Sequence, residues 1–146
     1  MRAILDAVAR LLKEKTGLDV LYDPQPLRGA EPHIRLTFMG TEEWGKGSIS
    51  VNFQLSIIGA GDGPGTYLDK IIKSSAKLSL LYGGYNEGKS YILEVNNYTI
   101  RISYCSGLAA TGTFTANEAK EVETNHWSYV FNETRQLQII IPTEVL

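Results

Sequence analysis

The strongest constraint on this fold is a strict alternation of apolar and polar residues over positions 48–57. Every second residue is a large hydrophobe, and each residue between them is Ser, Asn or Gln. Because successive side chains of a β-strand point to opposite faces, this period of two predicts a strand. One face is expected to be buried and the other to meet water or a partner. The predicted buried residues are Ile49, Val51, Phe53, Leu55 and Ile57.

A first helix is predicted near the start of the chain. Apolar residues recur three and four positions apart from Ile4 to Leu12, with charged residues between them. Gly17 follows Lys13 and Lys15, and a glycine after basic residues is typical of a helix end. We expect this helix to cover one side of a sheet.

A second helix is predicted to begin at Thr66, which would cap it, and to run to about Leu81. One of its faces is expected to be apolar and the other charged. The predicted apolar face consists of Leu68, Ile71, Ile72 and Ser75, and the opposite face of Asp69, Lys70 and Lys73.

Shorter apolar segments predict further strands. The first four cover residues 20–22, 33–38, 90–95 and 98–104. The last two of these are expected to form a hairpin, because Asn96 and Asn97 between them tolerate the left-handed backbone of a tight turn.

The last part of the chain is predicted to contain a long arm and two strands. Small and polar residues extend over 107–125, and a connection of this length is usually functional or disordered. Two short strands are then expected at 127–131 and 137–141, joined by a turn at Asn132 and Glu133.

The order of elements predicts an α+β fold, a mostly antiparallel β-sheet with two helices packed against it. The chain has 146 residues, which matches one ordinary domain, so residues 1–146 are expected to form a single domain. Its composition, 43% hydrophobic and 21% charged, is that of a globular protein and excludes general disorder.

The charge balance argues against tight nucleic-acid binding. Lys and Arg total 14 against 16 Asp and Glu, a formal charge of −2, whereas phosphate neutralisation needs clustered basic residues. No apolar run approaches the ~20 residues of a membrane span, so no membrane association is expected. The N-terminal segment is typical of an amphipathic helix and not of a signal peptide, which favours expression in the cytosol.

Residues 83–90, GGYNEGKS, match the phosphate-loop pattern, from Gly83 to a lysine at Lys89 and a hydroxyl at Ser90. A phosphate loop needs a strand before it and a helix after it, so that backbone N–H groups and the helix dipole converge on the phosphate. Here a predicted helix comes first and a predicted strand follows. A glycine-rich connector is therefore favoured over a nucleotide site.

Residues 59–65, GAGDGPG, lie in a better context, between a strand and a helix. However, Pro64 stands where the dinucleotide fingerprint has its third glycine, and the acidic residue about twenty positions later is missing. A flexible loop is the favoured interpretation.

Few residues could support nucleophilic or metal chemistry. His33 and His126 are the two histidines, and the single cysteine, Cys105, excludes an internal disulfide. Cys105 and His126 could meet across the sheet, but a lone cysteine is more often a small buried hydrophobe. Arg101 alone does not predict a stacking platform for single-stranded nucleic acid. We predict no catalytic, cofactor-binding or metal-binding residues, while carboxylate pairs assembled by folding stay open.

The whole-chain pattern resembles the tail-terminator, or tail-completion, proteins of long-tailed bacteriophages and prophages, including neck proteins of head-to-tail joining. The likeness covers residues 1–104, and residues 127–141 more loosely. The segments that carry it are the helix at 4–12, the strand at 20–22 with prolines after it, the strands at 33–38 and 48–57, and the helix that follows.

This resemblance implies a structural virion protein and not an enzyme. Such proteins are α/β proteins that assemble as hexameric rings, cap the growing tail tube and present a surface to the head connector. The implied partners are further copies of the chain, the tail tube protein and head connector or neck proteins. The implied location is the host cytoplasm during assembly and then the virion tail. No residue-level motif, and therefore no site residue or cofactor, is transferred.

Two other classes stay open. A small adaptor domain would bind a partner strand along an exposed sheet edge, such as residues 137–141. A nucleotide-binding module would use residues 83–90, and it would show a thermal shift with ATP and magnesium that vanishes in Lys89→Ala.

Overall fold

The alternating stretch forms an inner strand of a β-sheet in the computed structural model of this chain. The structure describes residues 1–23, 32–60, 66–81, 91–103, 113–118 and 129–146, and the structural statements below concern these residues. In chain order the elements are α1 (Arg2–Thr16), β1 (Asp19–Tyr22), β2 (His33–Glu43), β3 (Ser48–Ala60), α2 (Thr66–Leu81), β4 (Tyr91–Val95), β5 (Tyr98–Ser103), β6 (Thr113–Glu118), β7 (Tyr129–Pro142) and a 3₁₀ helix (Thr143–Val145).

The sheet is mostly antiparallel, which confirms the predicted α+β fold. Its described strands follow the order β1-β2-β3-β7-β5-β4, and β6 pairs with β7. β1 and β2 run parallel, and the other described pairs are antiparallel. Both helices share one apolar core with the sheet, so they cover a single face of it.

β7 is an inner strand of the sheet. It pairs with β3 along its length, and on its other side it pairs with β6 through residues 129–134 and with β5 through residues 138–140. The predicted turn at Asn132 and Glu133 is therefore wrong, because both residues are paired in a continuous strand. Residues 137–141 are likewise not an exposed edge. Pairing on both sides outweighs the weak local turn preference of an Asn-Glu dipeptide.

The predicted arm at 107–125 contains a strand. β6 pairs with the first half of β7, from Thr113 opposite Thr134 to Glu118 opposite Tyr129. Its own sequence, TFTANE, has one large apolar residue and no clear period, so the pairing depends on the neighbouring strand. The other residues of the predicted arm lie outside the described residues.

α1 confirms the first predicted helix and its glycine end. Gly17 has a left-handed backbone with φ 76°, and its N–H donates to the Lys13 carbonyl oxygen at 2.7 Å. Tyr22 ties β1 to this helix, because its hydroxyl donates to the Leu5 carbonyl oxygen at 2.7 Å. Burial raises the pKa of the Tyr22 hydroxyl well above its ordinary value, and the Asp6 carboxylate adds to the rise. The buried residues of α1 are Ile4, Val8, Leu11, Leu12 and Thr16.

α2 has the predicted bounds and buries part of the predicted face. Ile71 is buried as predicted, together with Ser74 and Leu78, and Ser75 is half-buried. Ile72 is 56% exposed, so the prediction that it lies on the buried face is wrong. Positions 71, 74 and 78 are three and four residues apart, which also satisfies helical spacing. The apolar residues of α2 fit two overlapping stripes, and packing against the sheet selects one.

β4 and β5 form the predicted hairpin. Val95 lies opposite Tyr98, and the two turn residues have the left-handed φ values of 49° at Asn96 and 68° at Asn97. Two consecutive left-handed residues match the twist of the flanking strands, which explains why two asparagines occupy this turn.

The two faces of β3 differ less than predicted. On the apolar face Val51, Phe53, Leu55 and Ile57 are buried and Ile49 is half-buried, but on the polar face Ser50 and Ser56 are buried as well. β3 has strands on both sides, with Arg35 opposite Ser56 and Ile140 opposite Ser50. These longer neighbours shield the short serine side chains, so the polar face is not uniformly open to water.

Candidate interaction surfaces

The β2–β3 hairpin exposes large apolar side chains. Phe38, Met39 and Trp44 are 58%, 62% and 49% exposed, although each is of a type that is normally covered. A bulge shifts the register between Phe38 and Gly40. Phe38 packs edge-on against the buried Phe53, with ring centroids 5.8 Å apart. The apolar core therefore continues through Phe53 to the surface at this hairpin.

The tip of this hairpin consists of exposed residues and is anchored at its base. We call residues 41–47 the hairpin end, and each of them is exposed. The Trp44 N–H donates to the Ser48 carbonyl oxygen at 3.0 Å, which closes the turn. The Thr143 N–H donates to the Gly47 carbonyl oxygen at 3.0 Å. The turn is thus held against the 3₁₀ helix that follows β7.

The hairpin end is acidic. It carries Glu42 and Glu43 against one cation, Lys46. Glu144 adds a third exposed carboxylate beside the turn, because its 3₁₀ helix is hydrogen-bonded to the turn. The Glu42 carboxylate accepts a hydrogen bond from the Asn52 amide at 3.3 Å, so this acid has a preferred position.

A groove of about 390 Å³ lies at the opposite end of β2. Three lysines of α2, Lys70, Lys73 and Lys77, line it, and we call it the lysine groove. Their spacing of three and four residues places them on one side of the helix. The Lys73 ammonium pairs with the Asp69 carboxylate at 2.9 Å, with both side chains largely exposed. This pair balances one of the three lysine charges, so the groove keeps a net positive charge.

The floor of the lysine groove joins α1, α2 and the sheet. The Ser74 hydroxyl donates to the Thr16 carbonyl oxygen at 3.3 Å. The Thr16 hydroxyl donates to the Leu12 carbonyl oxygen at 2.6 Å and accepts from the Leu18 N–H at 3.2 Å. The buried His33 lies beside this floor at the start of β2. These contacts make the groove a rigid part of the fold.

The groove also contains one acid. Asp19 lies opposite His33 in the parallel β1–β2 register. The Lys13 ammonium is 3.0 Å from the Asp19 carboxylate, which balances this negative charge locally. The lysines of α2 therefore determine the sign of the groove's net charge.

A second charged cluster connects the end of β1 to β2. The Asp23 carboxylate accepts hydrogen bonds from the Arg35 guanidinium and from the Thr37 hydroxyl, the latter at 2.5 Å. The Thr37 hydroxyl contributes most to holding the pKa of Asp23 below its usual value; burial opposes this, and the Arg35 guanidinium lowers the pKa further. Both carboxylate oxygens are engaged in holding the two strands, which favours a structural role for Asp23.

Most of the residues that the sequence singled out lie outside the described residues. Residues 83–90, with Lys89, lie outside the described residues, but α2 ends at Leu81 before them and β4 begins at Tyr91 after them. The order is thus helix, connector, strand, as predicted for a connector and opposite to that of a phosphate loop. Cys105 and His126 also lie outside the described residues. Arg101 is exposed on β5.

The loop at 59–65 is described only in part. Gly59 and Ala60 belong to the end of β3, where they pair with Phe131 and Val130. Residues 61–65 lie outside the described residues. The start of α2 at Thr66 agrees with the predicted order of strand, loop and helix.

Sequence reasoning missed the lysine groove. Lys70 and Lys73 were placed on the charged face of the second helix, which by itself indicates only contact with water. The added signal is Lys77, which extends the same row by one turn. What no local pattern reveals is that His33 and Asp19 lie beside this row.

Among the described residues, no group of three or more His, Cys, Asp or Glu side chains is arranged to hold a metal ion. Within the same residues, neither helix is long and apolar enough to cross a membrane.

Comparison with known proteins gives a likeness in structure. No family model and no curated protein matches the chain. One solved structure, whose name states no function, aligns over 94% of this chain and 91% of its own, with 12% sequence identity and a TM-score of 0.46.

Proposed function

We propose that this protein is a structural subunit of a bacteriophage or prophage virion. In this role it is a tail terminator, or tail-completion protein, that assembles into a ring, caps the tail tube and joins it to the head connector. Its working parts are surfaces that meet other copies of the chain and neighbouring virion proteins. It performs no catalysis in this role.

The observation that carries the proposal is the exposed β2–β3 hairpin. Phe38, Met39 and Trp44 expose large apolar area on one hairpin, and such area on a folded protein usually marks an interaction site. Aromatic residues and Met are also enriched where proteins contact each other. In a ring a neighbouring subunit would cover these apolar side chains, because each subunit contacts two neighbours through different surfaces.

The proposed partners follow from this role. They are other copies of the chain, the tail tube protein, and head connector or neck proteins. Assembly takes place in the host cytoplasm and the product is part of the virion tail. The chain's slight negative charge suits a ring through which DNA passes without adhering.

The test is the oligomeric state of the purified protein over a wide concentration range, measured by light scattering and negative-stain imaging. We expect the wild type to form rings, either alone at high concentration or after addition of tail tubes. A variant with Phe38→Ser, Met39→Ser and Trp44→Ser should stay monomeric while remaining folded. Ile92→Ser is the matched control, because Ile92 is 55% exposed on β4, away from this hairpin.

The outcome that contradicts the proposal is a strict monomer at every concentration, with no ring after tail tubes are added. A second result against it would be equal loss of assembly in the hairpin variant and in Ile92→Ser.

An adaptor domain is the second candidate. Residues 137–141 belong to an inner strand, with 138–140 paired on both sides, so a partner strand would have to add elsewhere. β4 lies at one end of the strand order and exposes Ile92, which makes it the better edge for such an addition. Saturable one-to-one binding of an extended peptide by a monomer would favour this candidate over a ring subunit.

A further inference from the structure

We propose that the hairpin end of one copy of this chain lies in the lysine groove of the next copy. The contact joins copies head to tail and would be the interface from which a ring is built. This inference rests on the proposed function, since it names the surfaces through which the subunits meet.

The charges of the two surfaces are complementary. The lysine groove presents Lys70, Lys73 and Lys77, and its one lining acid is paired with Lys13. The hairpin end presents Glu42 and Glu43 against Lys46, and Glu144 beside its turn leaves the surface net negative. Opposite potentials on two facing surfaces steer association and select one register.

The two surfaces lie at opposite ends of the same strand. His33 at the groove begins β2 and Glu43 at the hairpin end finishes it, so the strand separates them by about 30 Å at roughly 3.3 Å per residue. The hairpin end of one copy therefore cannot reach the lysine groove of the same copy. Two different surfaces that match each other make a heterologous contact, and repetition of that contact closes into a ring when the rotation permits.

The shape and the apolar content of the surfaces agree with this occupant. A groove of about 390 Å³ has room for a few side chains of a protruding turn. Trp44 lies between the acids and the glycines of that turn and is half exposed. Lysine side chains carry apolar stems and an ammonium group, and both favour contact with an indole ring. The contact would cover Trp44 as well as neutralise the acids.

A small free anion is a poorer occupant of the groove. The groove is lined by Thr16 and Gly17, at the C-terminal end of α1. A helix C-terminus carries a partial negative charge, which opposes a compact anion such as phosphate.

The test uses two charge-reversed variants of the full chain. The groove variant carries Lys70→Glu, Lys73→Glu and Lys77→Glu, and the hairpin variant carries Glu42→Lys and Glu43→Lys. Arg10→Glu with Glu14→Lys is the matched control, because both residues are exposed on α1 and line neither surface. Each protein is examined alone and in equimolar mixtures by light scattering and negative-stain imaging.

We expect rings from the wild type and the control, and monomers from each variant alone, because like charges then face each other at the contact. The equimolar mixture of the two variants should form rings again, since each contact between unlike variants joins opposite charges. Damage to folding cannot produce this recovery on mixing.

Rings formed by either variant alone, or a mixture that stays monomeric, would overturn the inference and leave the proposed function standing. A wild type that stays monomeric even with tail tubes would overturn both. Wild-type rings are also titrated with inorganic phosphate and with sodium chloride. Dissociation by both salts at the same ionic strength supports a protein carboxylate as the occupant. Dissociation by phosphate at much lower ionic strength would identify a free-anion site instead.

A milder variant keeps the test valid if charge reversal unfolds α2. Replacement of the three lysines by alanine preserves helix propensity. Three lost charge contacts of the surface type should raise the concentration for half-assembly by about tenfold. An unchanged half-assembly concentration in a folded alanine variant would overturn the inference.

Discussion

The Asp23 cluster provides the sharpest test of the fold itself. In Asp23→Asn the side chain keeps its size and one acceptor oxygen but loses its negative charge. The Arg35 side chain is 10% exposed and would lose the carboxylate that accepts from its guanidinium. The Thr37 hydroxyl would lose a charged acceptor at 2.5 Å. We therefore expect the substitution to destabilise the protein.

The magnitude follows from the number and exposure of these hydrogen bonds. A hydrogen bond to a charged group contributes about 1.5–3 kcal/mol when it is well shielded. The Asp23 side chain is 31% exposed, so water screens part of the interaction. We expect Asp23→Asn to lower the free energy of unfolding by about 1.5 kcal/mol, near the bottom of that range.

The effect should depend on pH with a definite sign. The pKa of Asp23 is lower in the folded protein than in the unfolded chain, where an aspartate titrates near pH ~4. The unfolded state therefore binds a proton first as the pH falls. The stabilising contribution is complete above the unfolded pKa and is lost as the pH falls through the lower folded pKa. The wild type should thus approach the variant in stability in acid.

Urea unfolding of both proteins, followed by circular dichroism near neutral pH and again in acid, measures these differences. Thr37→Val is a useful companion variant, because it removes the neutral donor and leaves the Arg35 contact. A cost of Asp23→Asn below about 0.5 kcal/mol at neutral pH would refute the reasoning, since that is the range of surface substitutions without partners. An equal cost at both pH values would refute the electrostatic explanation.

Two further outcomes test the packing of α2 and the β4–β5 turn. Leu78→Ala should lower the free energy of unfolding by about 2–5 kcal/mol because Leu78 is fully buried. Ile72→Ala, on the exposed side, should change it by less than about 0.5 kcal/mol. Equal costs of the two substitutions in a urea titration would contradict the assigned buried face. Asn97→Ala should lower the free energy of unfolding by about 1 kcal/mol because φ is 68° at this residue, whereas Asn97→Gly should be tolerated. A thermal midpoint that falls more for the glycine variant than for the alanine variant would contradict the left-handed turn.

The parts of the fold that were predicted correctly depend on short-range patterns. The alternation in β3, the 3.6-residue spacing in α1 and the two asparagines of the β4–β5 turn each determine local conformation from neighbouring residues. Gly17 belongs to the same group, since its left-handed backbone is needed wherever the helix stops. These elements keep their identity in many tertiary contexts.

The errors concern residues whose state is decided by distant segments. Asn132 and Glu133 could turn or extend, and strands on both sides of β7 make them extend. β6 has no strong pattern of its own and is a strand because β7 lies beside it. The candidate surfaces follow the same rule. Lys77 and His33 are far apart in sequence, and the packing of α2 beside the start of β2 brings them to one groove.

The amino-acid sequence by itself determined the class of the fold, the positions of both helices and the apolar face of the strongest strand. The tertiary structure alone decided which stripe of α2 is buried, that β7 is an inner strand, and that an acidic turn and a lysine groove lie at opposite ends of β2. The physical reason is the range of the interactions. Periodicity and backbone preference act within a few residues, whereas strand pairing and groove formation depend on segments that only the folded chain brings together.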